Sequence, residues 1–244
     1  MKLVRRIWLL TKEKEVTATI LGYNYKDNTV VAQVEEQKAI IRPEDISIYQ
    51  SKQNTGYIFS LIGSTIKCTV ESFSKKDGYI LSRSKFMAKE AEKYNKGDVV
   101  TATIVSSSDK ALYLEFDEEL SGIMYLSELT TAKIEKPLDL FKIGDKIRCV
   151  ITKKRGNYFE LSRLKFYNYI TLNIRNGKKV LCKITKKLDD NSGYFVEVTQ
   201  NPNYSGIFDI TEENINKDYV IGEKIPLRII HIKDDKKQLK LRTI

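Results

Sequence analysis

The chain repeats itself, and that repeat limits what it can fold into. Ile62-Gly63-Ser64-Thr65-Ile66-Lys67-Cys68-Thr69-Val70 matches Ile143-Gly144-Asp145-Lys146-Ile147-Arg148-Cys149-Val150-Ile151, with the glycines 81 positions apart. Ile221-Gly222-Glu223-Lys224-Ile225-Pro226-Leu227-Arg228-Ile229 is a third copy, 78 positions further on. Leu81-Ser82-Arg83-Ser84-Lys85-Phe86 pairs in the same way with Leu161-Ser162-Arg163-Leu164-Lys165-Phe166. Gly97-Asp98-Val99-Val100-Thr101-Ala102-Thr103-Ile104 pairs with Gly177-Lys178-Lys179-Val180-Leu181-Cys182-Lys183-Ile184, and the first copy offers Glu15 to Ile20 there without a leading glycine. Three landmarks on one period mean three units of one kind.

Each unit reads as short strands. Val99 to Val105 alternates, Ala111-Leu112-Tyr113-Leu114-Glu115-Phe116 alternates cleanly, and Gly122 to Leu126, Ile147 to Ile151 and Tyr158 to Leu161 follow. Five short strands in about 70 residues suggest a small closed barrel, which also removes exposed sheet edges. Between units the character changes. Ser84 to Asn95 is rich in helix formers and ends at Asn95-Lys96-Gly97, so a short helical spacer is expected. Phe166 to Asn176 is the equivalent second joint, richer in Tyr and β-branched residues. Glu128 to Leu140 and Glu212 to Tyr219 are expected to hold a turn or short helix before the fourth strand, and Trp8 to pack the N-terminal segment onto the first barrel.

Composition narrows the chemistry. Lys and Arg total 42 against 32 Asp and Glu, a net charge of +10 that favours polyanions through counterion release. The count by unit is uneven: residues 1–95 carry +5, residues 96–165 carry +1 and residues 166–244 carry +4. There are 14 Tyr and 9 Phe, the ring faces on which bases stack, although β-rich cores use the same residues. Cys68, Cys149 and Cys182 each fall in an alternating apolar segment and read as buried reduced thiols. With one His and no CxxC pair, a structural zinc is not expected, nor is a phosphate-cradling glycine loop present. His231 alternates with apolar neighbours and reads as a strand histidine rather than a catalytic one. The apolar run Ile7 to Leu10 is too short for a secretion signal, and no stretch reaches a membrane span, so a soluble cytoplasmic protein is expected.

The order of these landmarks resembles the S-one domain, the RNA-binding OB barrel of the largest ribosomal small-subunit protein. Ser121-Gly122-Ile123-Met124-Tyr125-Leu126-Ser127-Glu128-Leu129 in the second unit is close to the family's Gly-Leu-Val-His-Ile-Ser-Glu-Leu. Gly193-Tyr194-Phe195-Val196-Glu197-Val198 in the third follows the Gly-Ala-Phe-Val pattern. The resemblance covers roughly residues 13 to 244. It implies an all-β chain of three tandem five-stranded OB-type barrels joined by short helical spacers. The expected divisions are a degenerate domain at 1–85, a spacer at 86–95, domains at 96–165 and 177–244, and a spacer at 166–176.

The family's binding face can be carried over by position. Its Gly-Ala-Phe aromatic falls on Tyr113 and Phe195, its His on Tyr125 and Asp209, and its late Asp and Arg on Lys154 and Tyr158 in unit two, while the aromatic expected before the Gly-Ala-Phe glycine is replaced by Lys110 and Ser192. In unit three the last two fall on Asp234 and Gln238. The candidate RNA-binding residues are therefore Tyr113, Tyr125, Lys153, Lys154, Arg155 and Tyr158 in unit two, and Tyr194, Phe195, Asp234, Lys236 and Lys237 in unit three. Stacking on the rings and phosphate tracking by the cations is the implied mode. Two further departures stand out. Glu115, Asp117, Glu118 and Glu119 form an acidic loop beside the unit-two face, and in unit one the aromatic and His positions become Val31 and Arg42.

The expected function is non-enzymatic binding of single-stranded RNA in translation or RNA handling, with no cofactor and no metal. Contact with the ribosome or RNA polymerase is the expectation for partners, and none with a membrane. The rival is a protein-interaction scaffold whose barrels dock on such an assembly.

Overall fold

The computed structural model describes residues 13–168, 170, 172–211, 217, 219–233 and 237–244. Trp8, Asp234, Lys236 and residues 212–216 and 218 of the expected turn lie outside the described residues.

The three units are three closed five-stranded barrels. The first contains β1 (Glu15–Asn24), β2 (Thr29–Val34), β3 (Gln37–Ile41), β4 (Thr65–Ser74) and β5 (Gly78–Ser82). The second contains β6 (Val99–Ser107), β7 (Ala111–Phe116), β8 (Leu120–Tyr125), β9 (Lys146–Arg155) and β10 (Tyr158–Ser162). The third contains β11 (Lys179–Lys187), β12 (Gly193–Val198), β13 (Ser205–Asp209), β14 (Lys224–Lys233) and β15 (Gln238–Thr243). In each, the first strand pairs with the second and the fourth, and the third runs parallel to the fifth, as in an OB barrel. The chain forms two compact units: residues 1–94 hold the first barrel, and residues 95–244 hold the second and third together.

Period-two alternation explains the cores. Ala18, Ile20, Val30, Ala32 and Ile41 point into the first barrel, Ala102, Ile104, Leu112, Leu114 and Met124 into the second, and Cys182, Ile184, Val196, Val198 and Phe208 into the third. Cys68 and Cys149 occupy equivalent core positions on β4 and β9, and Cys182 lies on β11, the first strand of the third barrel; each has no exposed surface, and burial pushes each thiol up to about 12. Register shifts recur at one place in every first strand, between Ile20 and Gly22, Ile104 and Ser106, and Ile184 and Lys186. Such bulges bend a strand far enough to pair on both sides and close the barrel.

The repeated glycines have a backbone cause. Gly63, Gly144 and Gly222 have φ of 83°, 93° and 91°, and their N–H groups donate to Ile20, Ile104 and Ile184. Gly97 and Gly177 are left-handed too, and each donates at 2.8 Å to the carbonyl of Ile151 or Ile229 in the fourth strand of its barrel. The first unit lacks this glycine, but it keeps the bond: Glu13, at φ 71°, donates to Val70 O at 2.8 Å. A residue with a Cβ is strained there. Glu13→Gly is expected to stabilise the first barrel by about 0.5–1 kcal/mol, the relief of strain outweighing the entropy of glycine. Urea denaturation checks it, and no gain would mean that the turn is not strained.

The recurring Leu-Ser-Arg-x-Lys ends the first and second barrels and starts a helix after each. Ser82 and Ser162 are N-caps whose side chains accept from Lys85 N at 3.1 Å and Lys165 N at 3.0 Å. The first helix runs over Arg83–Glu92 and buries Phe86, Met87 and Ala91; the second is shorter, Arg163–Tyr167. The arginine after each cap turns inward. Arg83 donates to Ile46 O and Tyr57 Oη, and Arg163 to Leu129 O and to both carboxylate oxygens of Glu197.

Candidate nucleic-acid interface

Register sets out the face of the second barrel. Tyr113 on β7 lies opposite Ile123 on β8, Ile123 beside Glu160 on β10, and Glu160 opposite Lys153 on β9. These residues form one row across four strands. Tyr125 lies two residues beyond Ile123 and Tyr158 two before Glu160, so both point the same way. Tyr113, Tyr125 and Tyr158 are exposed, and Arg155 lies 2.8 Å from Glu160. The fold thus brings Tyr113, Tyr125, Lys153, Arg155 and Tyr158 to one face. Lys154 is turned off this row and lies half-buried, with its Nζ 5.7 Å from the buried Phe159 ring. The acidic loop joins β7 and β8 at the Phe116–Leu120 end of the hairpin, opposite the Ala111–Tyr125 end. Of its carboxylates, Glu115 is the one on the strand that carries Tyr113.

The third barrel carries the same row in other chemistry. Phe195 on β12 lies opposite Ile207, Ile207 beside Lys240, and Lys240 opposite His231. Asp209 is tied to Lys240 at 3.1 Å, and Gln238 pairs with Lys233. Together these residues line a cleft of about 470 Å3, a volume within the usual range for small-molecule sites. Tyr194 corrects the sequence expectation. It is 3% exposed, stacked on Phe208 at 5.4 Å and edge-on to Tyr219. Strand neighbours point to opposite faces, so with Phe195 outward Tyr194 belongs to the core. Lys237 is exposed in the turn before β15, its Nζ 5.7 Å from the Tyr204 ring, and does not line the cleft.

The first barrel has an aliphatic row in this place, Val31, Ile40 and Ile80, and Arg42 sits 4.0 Å from Asp45. Its exposed rings lie off this row: Tyr25 and Phe59 gather around Tyr23 with centroids 5.0 and 6.2 Å from it, and Phe73 on β4 packs 5.2 Å from the buried Tyr79.

Sequence reasoning missed two features of the third-barrel cleft. His231 and Lys233 line it, because the bulge at Ile229/His231 moves the strand by one residue and alternation read along the sequence alone loses phase. Thr131, Ala132 and Lys133 line it as well, although they belong to the second barrel. Among the described residues, no group of three or more His, Cys, Asp or Glu could hold a metal ion.

Comparison with known proteins agrees with this geometry. Residues 93–162 match the S1 RNA binding domain family. A 4-hydroxy-3-methylbut-2-enyl diphosphate reductase of Clostridium acetobutylicum is 28% identical over 203 residues, covering 74% of this chain and 31% of the reductase. The small ribosomal subunit protein bS1 of Staphylococcus epidermidis is 26% identical over 117 residues, covering 43% of this chain and 29% of that protein. The chain therefore spans under a third of the length of these relatives. A crystal structure of a Streptococcus pneumoniae multidomain protein with nucleic acid binding domains aligns over 95% of this chain and 73% of its own, at 13% identity and a TM-score of 0.32. The chain is thus three tandem OB-type barrels, of which the middle one matches the S1 RNA binding domain family and the other two repeat its strand order.

Proposed function

We propose that the chain binds single-stranded RNA without catalysing a reaction, holding bases on Tyr113, Tyr125, Tyr158 and Phe195 and phosphates on Lys153, Arg155, Lys233 and Lys240. The observation that carries this reading is the shared row: in both the second and third barrels an outward aromatic and a lysine stand on one cross-strand line. Stacking tolerates any base, so sequence preference is weak and binding is strongly salt-dependent. The net charge of +10 supports the same reading. Of the described residues, no helix is long and apolar enough to cross a membrane. We place the protein in the cytoplasm, acting in translation or RNA handling.

Anisotropy of a labelled single-stranded RNA, titrated with the full chain at several salt concentrations, tests it. Binding that weakens steeply with salt is expected; no affinity above background at low salt would end the reading. One observation favours a second role for the first barrel. Its row of Val31, Ile40 and Ile80 offers neither ring nor cation, and suits docking on the ribosome, RNA polymerase or another protein assembly. A partner that stays bound after nuclease treatment supports that role.

A further inference from the structure

The segment between β8 and β9 belongs to the second barrel by chain order, but part of it lies on the third. Thr131 donates from N and Oγ1 to Pro202 O, at 3.3 and 3.0 Å, and its Oγ1 lies 3.2 Å from Ser205 Oγ. Lys133 O accepts from Thr185 Oγ1 at 2.9 Å, and Thr185 is fully buried. Glu135 pairs with Lys186 at 3.3 Å. The strap is thus fastened at three places along β11 and the start of β13. Just before the strap, Leu129 O accepts from Arg163, whose pair with Glu197 joins the helix after β10 to β12.

So fastened, the strap forms one wall of the third-barrel cleft. Lys133 is exposed, and its Nζ lies 5.2 Å from the centroid of the Phe195 ring. An exposed ammonium over a half-buried ring is held weakly. A base stacking on the ring would displace the ammonium, and a backbone phosphate is a favourable partner for the displaced charge. We propose that residues 131–133 are a donated part of the third-barrel site, with Lys133 moving from the Phe195 ring to the RNA backbone on binding, so that the second and third barrels build one composite site. This rests on the RNA-binding reading above.

The experiment uses the full chain carrying Tyr113→Ala, so that the third barrel dominates, and a short labelled oligouridylate. Lys133→Ala is expected to weaken binding by about three- to tenfold and to lower the slope of log affinity on log salt by about 0.7, the value for one phosphate contact on a single strand. Lys75→Ala removes the same charge from an exposed turn of the first barrel and is expected to change neither. If Phe195→Ala weakens binding while Lys133→Ala leaves affinity and slope unchanged, the composite site is wrong and the RNA reading stands. Tighter binding by Lys133→Ala would also overturn it, because the lysine would then be shielding the ring. If Phe195→Ala has no effect either, the RNA reading itself fails at this barrel.

Discussion

Replacing Glu197 with alanine lowers the stability of the unit formed by residues 95–244 by about 3–5 kcal/mol, the usual cost of leaving one member of a buried ion pair alone. The geometry puts this pair at the strong end. Arg163 Nη1 and Nη2 reach the two carboxylate oxygens at 2.8 and 2.9 Å, with side-chain exposures of 10% for the arginine and 3% for the glutamate. Nη1 also donates to Leu129 O, and the guanidinium lies 5.1 Å from the Phe141 ring and 5.7 Å from the Tyr167 ring. Without the carboxylate, a buried cation would keep one carbonyl and two rings as partners. The double variant Arg163→Met, Glu197→Leu removes both charges and is expected to lose much less. Urea denaturation of the three proteins measures this. A loss below about 1 kcal/mol for Glu197→Ala would show that water reaches the pair and that it behaves as a surface contact.

The second large effect is on binding. Tyr113→Ala and Phe195→Ala each remove one stacking surface, worth about 1–3 kcal/mol per base. Since 1.4 kcal/mol is a factor of ten, each is expected to weaken single-stranded RNA binding by about tenfold. Both rings are outward: Tyr113 is 43% exposed, and Phe195 is half-buried over the cleft. Their loss therefore leaves the cores intact, and the variants are expected to melt as the parent does. Tyr194→Ala is the contrasting case. It removes a core ring, so stability falls by about 3–5 kcal/mol. Anisotropy titration at fixed salt, beside thermal melting, separates the two classes. Unchanged affinity in the Tyr113, Phe195 double variant would place the RNA off these rows.

Much of the fold was legible because its causes are local. A glycine that must adopt positive φ, a serine that must cap a helix and a side chain that must alternate with its neighbour all leave marks within a few residues. Glu13 shows how such a mark can be hidden: the backbone bond persists while the glycine that would reveal it is absent. Resemblance by motif placed Tyr113 and Tyr125 on the candidate face, and both point outward where alternation runs unbroken. The face was lost at Tyr194, where resemblance by motif ignored which of two adjacent residues faces out, and at His231, where a bulge resets the phase.

From sequence alone came three similar units, their strands, turns and caps, the core cysteines and the aromatic positions of the middle unit. Tertiary structure alone decided that Arg163 meets Glu197, 34 residues on, and that Lys133 reaches Phe195 across the boundary between two barrels. The physical reason is range. Torsion preference and side-chain period act between chain neighbours and repeat with the sequence. Contacts between separately closed barrels depend on how two finished surfaces fit, and no spacing within either barrel encodes that.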